Sequence, residues 1–383
     1  MEIKNLKKAG QRILRAIKNK EKIIIYGDAD FDGTAAVVIL KEAIEKLKGD
    51  ISAIYFVDRE EEGYGLNKKA LNFLKPLAPA LLICLDLGIT NFKETKIAKK
   101  LGFEVIIIDH HKIIDRLPEA SIIVDPKQRG DKYPFKEFAT VGLVYELVKI
   151  IFGKDLTKDL NNSFLELVAL ATIADMMPQE RENKQYIEQG LTVFKKTKRL
   201  GLEFLLKTKD FEDLTENEKI QKIVSTLNMS EIKNHLTEAY LLFICQNKKE
   251  VRELIDRLLE RSLQRHGQIR EITEEIKERI KEDSSLIVFE GDLGWPNLLV
   301  GSVASRICHK FKKPTFVYKK GESESIGSVR MPKGMDAVKA MQSCQKLLIT
   351  FGGHPPAAGF RIKNQNLEKF KNCLIKYFET LDE

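Results

Sequence analysis

Short apolar runs recur along the first third of the chain at intervals that fit alternating strands and helices. The runs occupy residues 23–26, 51–57, 81–85, 105–108 and 121–124. Segments of helical character and of the usual crossover length separate the first four runs. Strands and helices that alternate in this way form a parallel sheet covered by helices on both faces. The pattern therefore predicts an α/β fold with a parallel, doubly wound sheet.

An acidic residue follows each of these runs. In open parallel sheets, ligands bind beyond the carboxyl ends of the strands. The side chains predicted to meet at this edge are Asp28, Asp58 with Arg59, Asp86, Asp109 with His110 and His111, and Asp125. This edge of the sheet is the expected place of a functional site.

The first acidic segment, GDADFDG, places Asp28, Asp30 and Asp32 on alternate positions. Carboxylates this close repel one another unless a cation or solvent surrounds them. Three interpretations compete: an EF-hand loop, a solvated turn, and a metal site at a strand end. An EF-hand requires an entering helix and a glutamate at its twelfth position, whereas this chain has a strand-like run and Ile39. The metal site at a strand end fits best.

Two further segments add side chains that bind metals. IIIDHHKI contains His110 and His111, and imidazole combined with carboxylate suits Mn²⁺, Zn²⁺ or Fe²⁺; a turn with surface histidines is the alternative. Asp175 lies in the apolar segment 163–178, where an unpaired carboxylate is costly to bury, although it could also cap the helix ahead of Pro178. Together these segments supply five aspartates and up to two histidines. So many ligands predict two divalent ions about 4 Å apart that clamp a phosphoryl group.

The composition indicates a soluble protein and permits a polyanionic partner. The 383 residues carry a formal net charge of +8, and 43% of them are hydrophobic. No apolar run is long enough to cross a membrane, and the N-terminal segment reads as a basic amphipathic helix, not as a signal peptide. The five cysteines are widely scattered, which predicts neither a zinc site nor a disulfide framework and points to a cytoplasmic location.

The rest of the chain predicts a helical region and then a second α/β unit. Helical patterns run from about 135 to 207 and through 251–282, where an apolar face opposes a face with charges of both signs. A strand, the helix GSVASRICHKF and another strand follow, and the segments GSVR and FGGHPPAAGFRI close the unit. The expected divisions are a domain at 1–190 that carries the acidic edge, a helical connector at 191–285, and a smaller α/β domain at 286–383.

Several motifs, taken in order, resemble a known superfamily. GDADFDG, LDLGIT, DHH and ALATIADMMP resemble the motif set of the DHH phosphoesterases, and FGGHPPAAGF resembles the GGH signature of the partner DHHA1 domain. Within the superfamily the chain is most similar to RecJ-type single-strand exonucleases, through DREEEGYGLN, VDPKQRGDKYPFKEFATVGLVYEL and IADMMPQERENKQYIEQGL. The resemblance covers residues 20–362. It implies a DHH catalytic domain, the helical connector, and a DHHA1 substrate-binding domain.

The resemblance also implies roles for individual residues. The implied metal ligands are Asp30, Asp32, Asp86, His110 and Asp175, with Asp86 bridging two ions and Asp28 as a further ligand or a supporting acid. His111 would touch the scissile phosphate or orient a ligand, and Asp109 would support it. The implied substrate contacts are Gly352, Gly353 and His354, with Arg306 and Arg330 as candidates that could equally be surface arginines, and Tyr64, which could stack on a base or only pack.

The activity implied by the resemblance is a metal-dependent phosphodiester hydrolysis with two Mn²⁺ or Mg²⁺ ions. The implied enzyme is an exonuclease on single-stranded nucleic acid, DNA more than RNA, with replication or repair proteins as partners. Two alternatives stay open. One is a phosphoesterase of very short oligonucleotides or nucleotide-like phosphates. The other is a non-catalytic DHH scaffold of a replication complex.

The chain departs from the RecJ pattern in two places. LNMSEIKN keeps Asn228 of an Asn-Ala-Ala-Gly-Arg-like segment but lacks its Gly and Arg, so one phosphate-binding arginine has no counterpart. The chain also ends about twenty residues past the DHHA1 signature. That length leaves no room for the oligonucleotide-binding barrel of bacterial RecJ enzymes, and we expect a short form.

Overall fold

The computed structural model describes residues 2–59, 61–113, 116–281 and 285–382. The chain divides into two units, Met1–Ser262 and Leu263–Glu383. Each unit has its own five-stranded sheet. Across the described ranges, every helix is too short or too polar to span a lipid bilayer.

The sheet of the first unit is parallel throughout, as predicted. Its strands are β1 (Ile23–Gly27), β2 (Ile51–Phe56), β3 (Ala80–Leu85), β4 (Phe103–Ile108) and β5 (Ile122–Val124). They lie in the order β2-β1-β3-β4-β5. The chain adds β2 on one side of β1 and then β3, β4 and β5 on the other side, so the strand order reverses between β1 and β3. Ligands bind in the crevice at such a switch point.

The helices of the first unit precede, connect and follow these strands. Their bounds are α1 (Leu6–Lys18), α2 (Phe31–Lys46), α3 (Lys68–Leu74), α4 (Phe92–Lys100), α5 (Thr140–Phe152), α6 (Lys158–Ala174), α7 (Arg181–Phe194), α8 (Leu200–Leu206), α9 (Lys209–Glu212), α10 (Glu216–Leu227) and α11 (Glu238–Ile244). A short hairpin, β6 (Ile232–Lys233) with β7 (Leu236–Thr237), precedes α11. The long helix α12 (Lys248–Arg279) contains the boundary between the two units.

Both faces of the parallel sheet are buried. Successive residues of a strand point to opposite faces, and each face packs against a different apolar cluster. Ile23 and Ile25 belong to one apolar cluster, to which α1, α2, α5 and α6 contribute. Ile24 and Tyr26 belong to a second cluster, formed with α3 and α4. This arrangement confirms the doubly wound fold.

Two predicted helices have different bounds in the structure. The apolar segment 163–178 belongs to a helix that starts earlier, because the Thr157 side chain caps the N-terminus of α6, and that ends at Ala174 with Asp175 as its C-cap. The predicted helix 251–282 corresponds to α12, and residue 282 lies outside the described residues.

The second unit has a mixed sheet with helices packed against it. Its elements are β8 (Val288–Asp292), α13 (Asn297–Phe311), β9 (Thr315–Lys320), β10 (Glu324–Arg330), α14 (Ala337–Ser343), β11 (Leu348–His354), β12 (Ala357–Lys363) and α15 (Leu367–Asp382). The strand order is β11-β12-β10-β9-β8, in which only the pair β8–β9 is parallel among the described strands. The glycine-bearing segment FGGHPPAAGFRI forms the hairpin of β11 and β12.

One expectation from the cysteine pattern was wrong. Cys344 and Cys373 form a disulfide, although they are 29 residues apart in the chain. Cys344 ends α14 and Cys373 lies in α15, and these two helices pack against each other. Only this packing brings the two cysteines together, so their spacing in the sequence did not reveal the pair.

Candidate metal centre

Acidic and imidazole side chains converge beyond the carboxyl ends of β1, β3 and β4. Asp28 follows β1, Asp86 follows β3, and Asp109 and His110 follow β4. All four are buried, with exposures of 1% or less. The backbone N–H of each of the three aspartates donates to a carbonyl group of the neighbouring strand. The sheet therefore holds their backbones in fixed positions.

Three groups of side chains have ligand atoms within 4.8 Å of one another. The groups are Asp86 with His110 and His111, Asp32 with His110 and Asp175, and Asp28 with Asp30 and Asp86. Asp86 and His110 each belong to two groups, so the three groups form one continuous cluster. Carboxylate with imidazole suits Mn²⁺, and carboxylate alone suits Mg²⁺ as well.

The electrostatics of the cluster fit a bound cation. Burial and the charges of Asp175 and Asp30 raise the pKa of Asp32. Burial and the charge of Asp32, among other acids, raise the pKa of Asp86. Burial and the charge of Asp30 raise the pKa of Asp175 to about 7. A divalent ion would offset the mutual repulsion of these carboxylates and the cost of burying their charge.

His110 is the imidazole at the centre of the cluster. Its Nε2 lies 3.4 Å from Asp86 Oδ1 and 3.4 Å from Asp175 Oδ2. It also lies 3.9 Å from Asp32 Oδ2. Asp175 thus combines the two roles considered for it, since it ends α6 and also faces His110.

The N-terminus of α5 holds two of the acids in place. The backbone N–H of Thr140 donates to Asp32 Oδ2 over 2.7 Å, and that of Val141 donates to Asp32 Oδ1 over 2.9 Å. The Thr140 hydroxyl donates to Asp86 Oδ1 over 3.0 Å. N–H groups in the first turn of a helix stabilise a nearby negative charge. Thr140 was not predicted as a site residue, and the only signal for it was the position of FATVGLVYEL within the RecJ-like motif.

Arg59 pairs with two of the acids from the loop after β2. Its Nε donates to Asp28 Oδ1 over 2.7 Å, and its Nη2 contacts Asp28 Oδ2 and, at 2.9 Å, Asp30 Oδ2. The Ala29 N–H also donates to Asp28 Oδ1. The Asp28 carboxylate therefore lies in a two-pronged ion pair within the metal-ligand cluster. Arg59 follows the second apolar run, but the sequence did not predict this pairing.

Asp109 and His111 form a second hydrogen-bonded pair. His111 Nδ1 lies 2.7 Å from Asp109 Oδ1, and that oxygen also accepts from the backbone N–H groups of His110 and His111. Burial opposes ionisation of Asp109, but His111 and these N–H donors lower its pKa. In turn, despite burial, Asp109 raises the pKa of His111 to about 9. The pair thus favours the imidazolium form of His111, with Nε2 turned away from Asp109.

Tyr64 contacts this pair from the same loop as Arg59. Its hydroxyl donates to the carbonyl oxygen of Asp86 over 3.1 Å and lies 3.3 Å from His111 Nδ1. The Arg59 guanidinium lies 5.3 Å from the centre of the Tyr64 ring. Tyr64 remains 45% exposed, so its ring is accessible at the edge of the cluster.

Asn228 connects the helical region to the metal-ligand cluster. Its side-chain oxygen accepts from the N–H of Phe31, the first residue of α2, over 3.1 Å. Asp30 caps this helix through Gly33 N–H, and Asp32 lies in its first turn. The residue retained from the Asn-Ala-Ala-Gly-Arg-like segment therefore contacts the backbone that carries Asp30 and Asp32.

In the second unit, two predicted substrate residues share one row of the sheet. Arg330 of β10 and His354 of β11 both pair with Ala357 of β12. Residues directly opposite in antiparallel strands point to the same face, so Arg330 and His354 flank Ala357 on one face. Gly353 has a φ of 135°, and a Cβ there would lie 2.6 Å from the carbonyl oxygen of Ala357. Glycine is therefore required at this position.

Gly352 and Arg306 lie in different parts of this unit. Gly352 pairs with Gly359 in the β11–β12 hairpin. Arg306 is exposed on α13, where its Nη2 lies 3.4 Å from His266 Nδ1.

Comparisons with known proteins find two domain families in the chain. The model of the DHH family, N-terminal domain, matches residues 22–172, and the DHHA1 domain model matches residues 283–380. The single-stranded-DNA-specific exonuclease RecJ of Bacillus subtilis is 34% identical over 97% of this chain. The chain spans 48% of that relative, about half its length.

Two further relatives cover nearly all of the chain. YorK of Bacillus subtilis, named as an SPbeta prophage-derived single-strand DNA-specific exonuclease, is 30% identical over 98% of this chain and 70% of its own length. The crystal structure of Thermus thermophilus RecJ in complex with Mn²⁺ superposes with a TM-score of 0.82. It is 22% identical over 98% of this chain and 55% of that chain, a similarity that establishes the shared fold.

Proposed function

Because the chain belongs to the RecJ family of DHH and DHHA1 proteins, we propose that it is a divalent-metal-dependent exonuclease acting on single-stranded nucleic acid. The observation that carries this proposal is the cluster in which Asp86 is common to two groups of ligand atoms. A shared carboxylate suits two ions held close together, as the two-metal mechanism of phosphodiester hydrolysis requires. The names of the relatives favour DNA over RNA as the substrate.

The proposed metal ligands are the acids and the imidazole of the cluster. They are Asp30, Asp32, Asp86, His110 and Asp175, and Mn²⁺ or Mg²⁺ is the proposed ion. Two such ions, when bound, stabilise the attacking and leaving oxygens of an in-line phosphoryl displacement. Thr140 and Val141 fix the carboxylate of Asp32, and Thr140 also fixes that of Asp86. These hydrogen bonds orient the carboxylates before any ion binds.

The remaining side chains of the centre are proposed to orient the substrate. Asp109 holds the His111 ring through Nδ1, and the imidazolium ring is proposed to donate to an oxygen of the scissile phosphate. Asp28, whose two oxygens contact Arg59, is proposed as a further ligand or a supporting acid. Arg59 would then present a fixed positive charge beside the phosphate. The exposed ring of Tyr64 could stack on a terminal base.

The second unit is proposed to bind the substrate backbone. Gly352 and Gly353 allow a phosphate to approach the main chain closely, and His354 and Arg330 supply donors on one face of the sheet. Arg306 is a further contact. Replication or repair proteins are proposed as partners, and the cytoplasm as the location. The proposed domains are a catalytic domain at 1–190, a helical connector at 191–285 and a substrate-binding domain at 286–383.

The proposal is tested with single-stranded DNA and RNA of equal sequence, labelled at either end, in Mn²⁺. An exonuclease releases the terminal label first, and shortened products then accumulate from that end. Asp86→Ala is the inactive reference. Cleavage restricted to oligonucleotides of a few nucleotides would identify the alternative enzyme, a phosphoesterase of very short oligonucleotides or nucleotide-like phosphates. Metal binding without any hydrolysis would identify a scaffold.

A further inference from the structure

One side of α12 within the second unit carries a row of basic residues. His266, Arg270 and Lys277 are spaced four and seven residues apart, so they lie within a narrow sector of the helix. The row is about 16 Å long at the rise of an α-helix. His266 and Arg270 are exposed, and Lys277 is partly exposed.

The helix α13 adds two more basic side chains to this row. Arg306 and Lys310 are exposed and four residues apart, and therefore neighbours on the helix surface. Arg306 Nη2 lies 3.4 Å from His266 Nδ1, and the side chain of Lys310 contacts that of Lys277. We call these five residues, His266, Arg270, Lys277, Arg306 and Lys310, the basic ridge.

Among the described residues, the acid within the ridge is Glu274. It accepts a hydrogen bond from Lys277, and this bond together with the charges of Lys310 and Arg270 lowers its pKa. Contact with Lys277 lowers the pKa of Lys310. Of the other acids nearby on α12, Glu275 pairs with Arg279 and Glu278 with Lys281, while Glu271 is exposed beside Arg270. The ridge therefore has a net positive charge, with like charges in contact.

We propose that the basic ridge binds successive phosphates of the single strand on which the enzyme acts. Like charges in contact repel, and an anion placed between them converts that repulsion into attraction. A nucleic acid strand presents such anions at regular intervals along a line, which suits an elongated ridge. This inference rests on the proposed function for its choice of ligand.

The ridge also has the residue types that bind phosphate backbones. Arginine forms paired hydrogen bonds with phosphate oxygens, and lysine contributes a compact charge. Such contacts depend on charge and not on the base, so the ridge should bind strands of any sequence equally well. An acidic protein segment is the competing ligand, and the experiment below separates the two.

The test measures binding without hydrolysis. A fluorescent single strand of about twenty nucleotides is titrated with the full chain in EDTA, at roughly 50 to 200 mM salt. Arg270→Glu with Lys310→Glu is compared with Lys369→Glu with Lys376→Glu, which reverses two exposed charges on α15 of the same unit. Arg270→Gln with Lys310→Gln replaces the first pair if melting shows that charge reversal impairs folding.

The ridge variant should bind about tenfold more weakly, and its slope of log affinity against log salt should fall by about 1.4, roughly 0.7 for each lost phosphate contact. The α15 variant should lose much less affinity. Equal losses in both variants, or none in either, would overturn the proposal. Polyglutamate serves as a second probe that stands for an acidic protein segment. If the ridge variant bound polyglutamate more weakly but bound the strand as the wild type does, the ridge would be assigned to an acidic protein. Hydrolysis by the wild type is scored separately, so failure of the exonuclease assignment does not mask this result.

Discussion

Thr140 donates its hydroxyl to Asp86 Oδ1 over 3.0 Å, from a position where it is fully buried. The same residue donates its backbone N–H to Asp32. One residue at the start of α5 therefore orients carboxylates from two other segments of the chain. Hydrogen bonds to ligating carboxylates fix the geometry in which an ion is bound.

Thr140→Val should weaken Mn²⁺ binding by about 10- to 100-fold, because the valine keeps the shape but leaves Asp86 without its donor. Thr140→Ser is the matched control, since it retains the hydroxyl, and it should bind Mn²⁺ almost as the wild type does. Isothermal titration with Mn²⁺ measures both variants. Equal affinity of the valine variant and the wild type would show that this hydrogen bond does not orient a metal ligand.

Asp86→Ala should abolish turnover while the protein stays folded. If the shared carboxylate holds both ions, as proposed, two-metal hydrolysis should fail without it. Its loss also relieves repulsion among buried acids, so the metal-free variant should melt no lower than the wild type. Asp155→Ala, an exposed acid of the same unit, is the control and should keep full activity. A folded Asp86→Ala enzyme with the rate of the wild type would refute the proposed ligand set.

Asp125 should make the metal-free protein less stable as pH rises. Burial and the charge of Asp109 raise the pKa of Asp125 to about 7, against about 3.9 in an unfolded chain. The folded state therefore binds this proton more tightly, and its stabilising effect is lost as pH rises from about 4 to about 7.

Asp125→Asn stays neutral at every pH and can still accept the Lys127 N–H bond that Asp125 Oδ1 accepts over 2.7 Å. In EDTA, its melting temperature should exceed that of the wild type by a margin that grows between pH 4 and 7 and then levels off. If the curves of melting temperature against pH for the wild type and Asp125→Asn ran parallel, Asp125 would have the same pKa in the folded and unfolded states, and the prediction would be wrong.

The sequence predicted the parallel sheet and its acidic edge because both follow from local patterns. An apolar run marks a strand whatever it packs against, and the carboxyl ends of parallel strands meet at one edge by topology. Asp28, Asp86 and His110 could therefore be placed together before any contact was known.

The partners of these residues could not be predicted in the same way. Thr140 reaches Asp32 across 108 positions of the chain, and Arg59 reaches Asp28 across 31. Such pairs depend on how helices and loops pack on the sheet, which the spacing of residues does not record. The disulfide of Cys344 escaped prediction for the same reason.

His354→Ala should slow hydrolysis of oligonucleotides but leave Mn²⁺ binding unchanged. His354 lies in the β11–β12 hairpin of the second unit, outside the three groups of metal-ligand atoms. Losing a donor to phosphate should raise KM more than it lowers kcat, because such a contact contributes mainly to substrate binding. His309→Ala, an exposed histidine of α13, should behave as the wild type. Loss of Mn²⁺ affinity in His354→Ala would contradict its assignment to the substrate.

Mn²⁺ should support activity at least as well as Mg²⁺, and Ca²⁺ should bind without supporting turnover. His110 offers an imidazole nitrogen within 3.4 Å of Asp86 and Asp175, and Mn²⁺ accepts nitrogen ligands more readily than Mg²⁺. Ca²⁺ prefers a larger shell of oxygen ligands with looser geometry, so it should occupy the carboxylates without aligning a phosphate. The enzyme is stripped with EDTA and restored with each ion in turn, and binding is followed by titration in parallel with hydrolysis. His110→Asn removes the imidazole but keeps a polar side chain, so its preference should shift towards Mg²⁺. Full turnover in Ca²⁺ alone, or an unchanged preference in His110→Asn, would exclude the proposed centre.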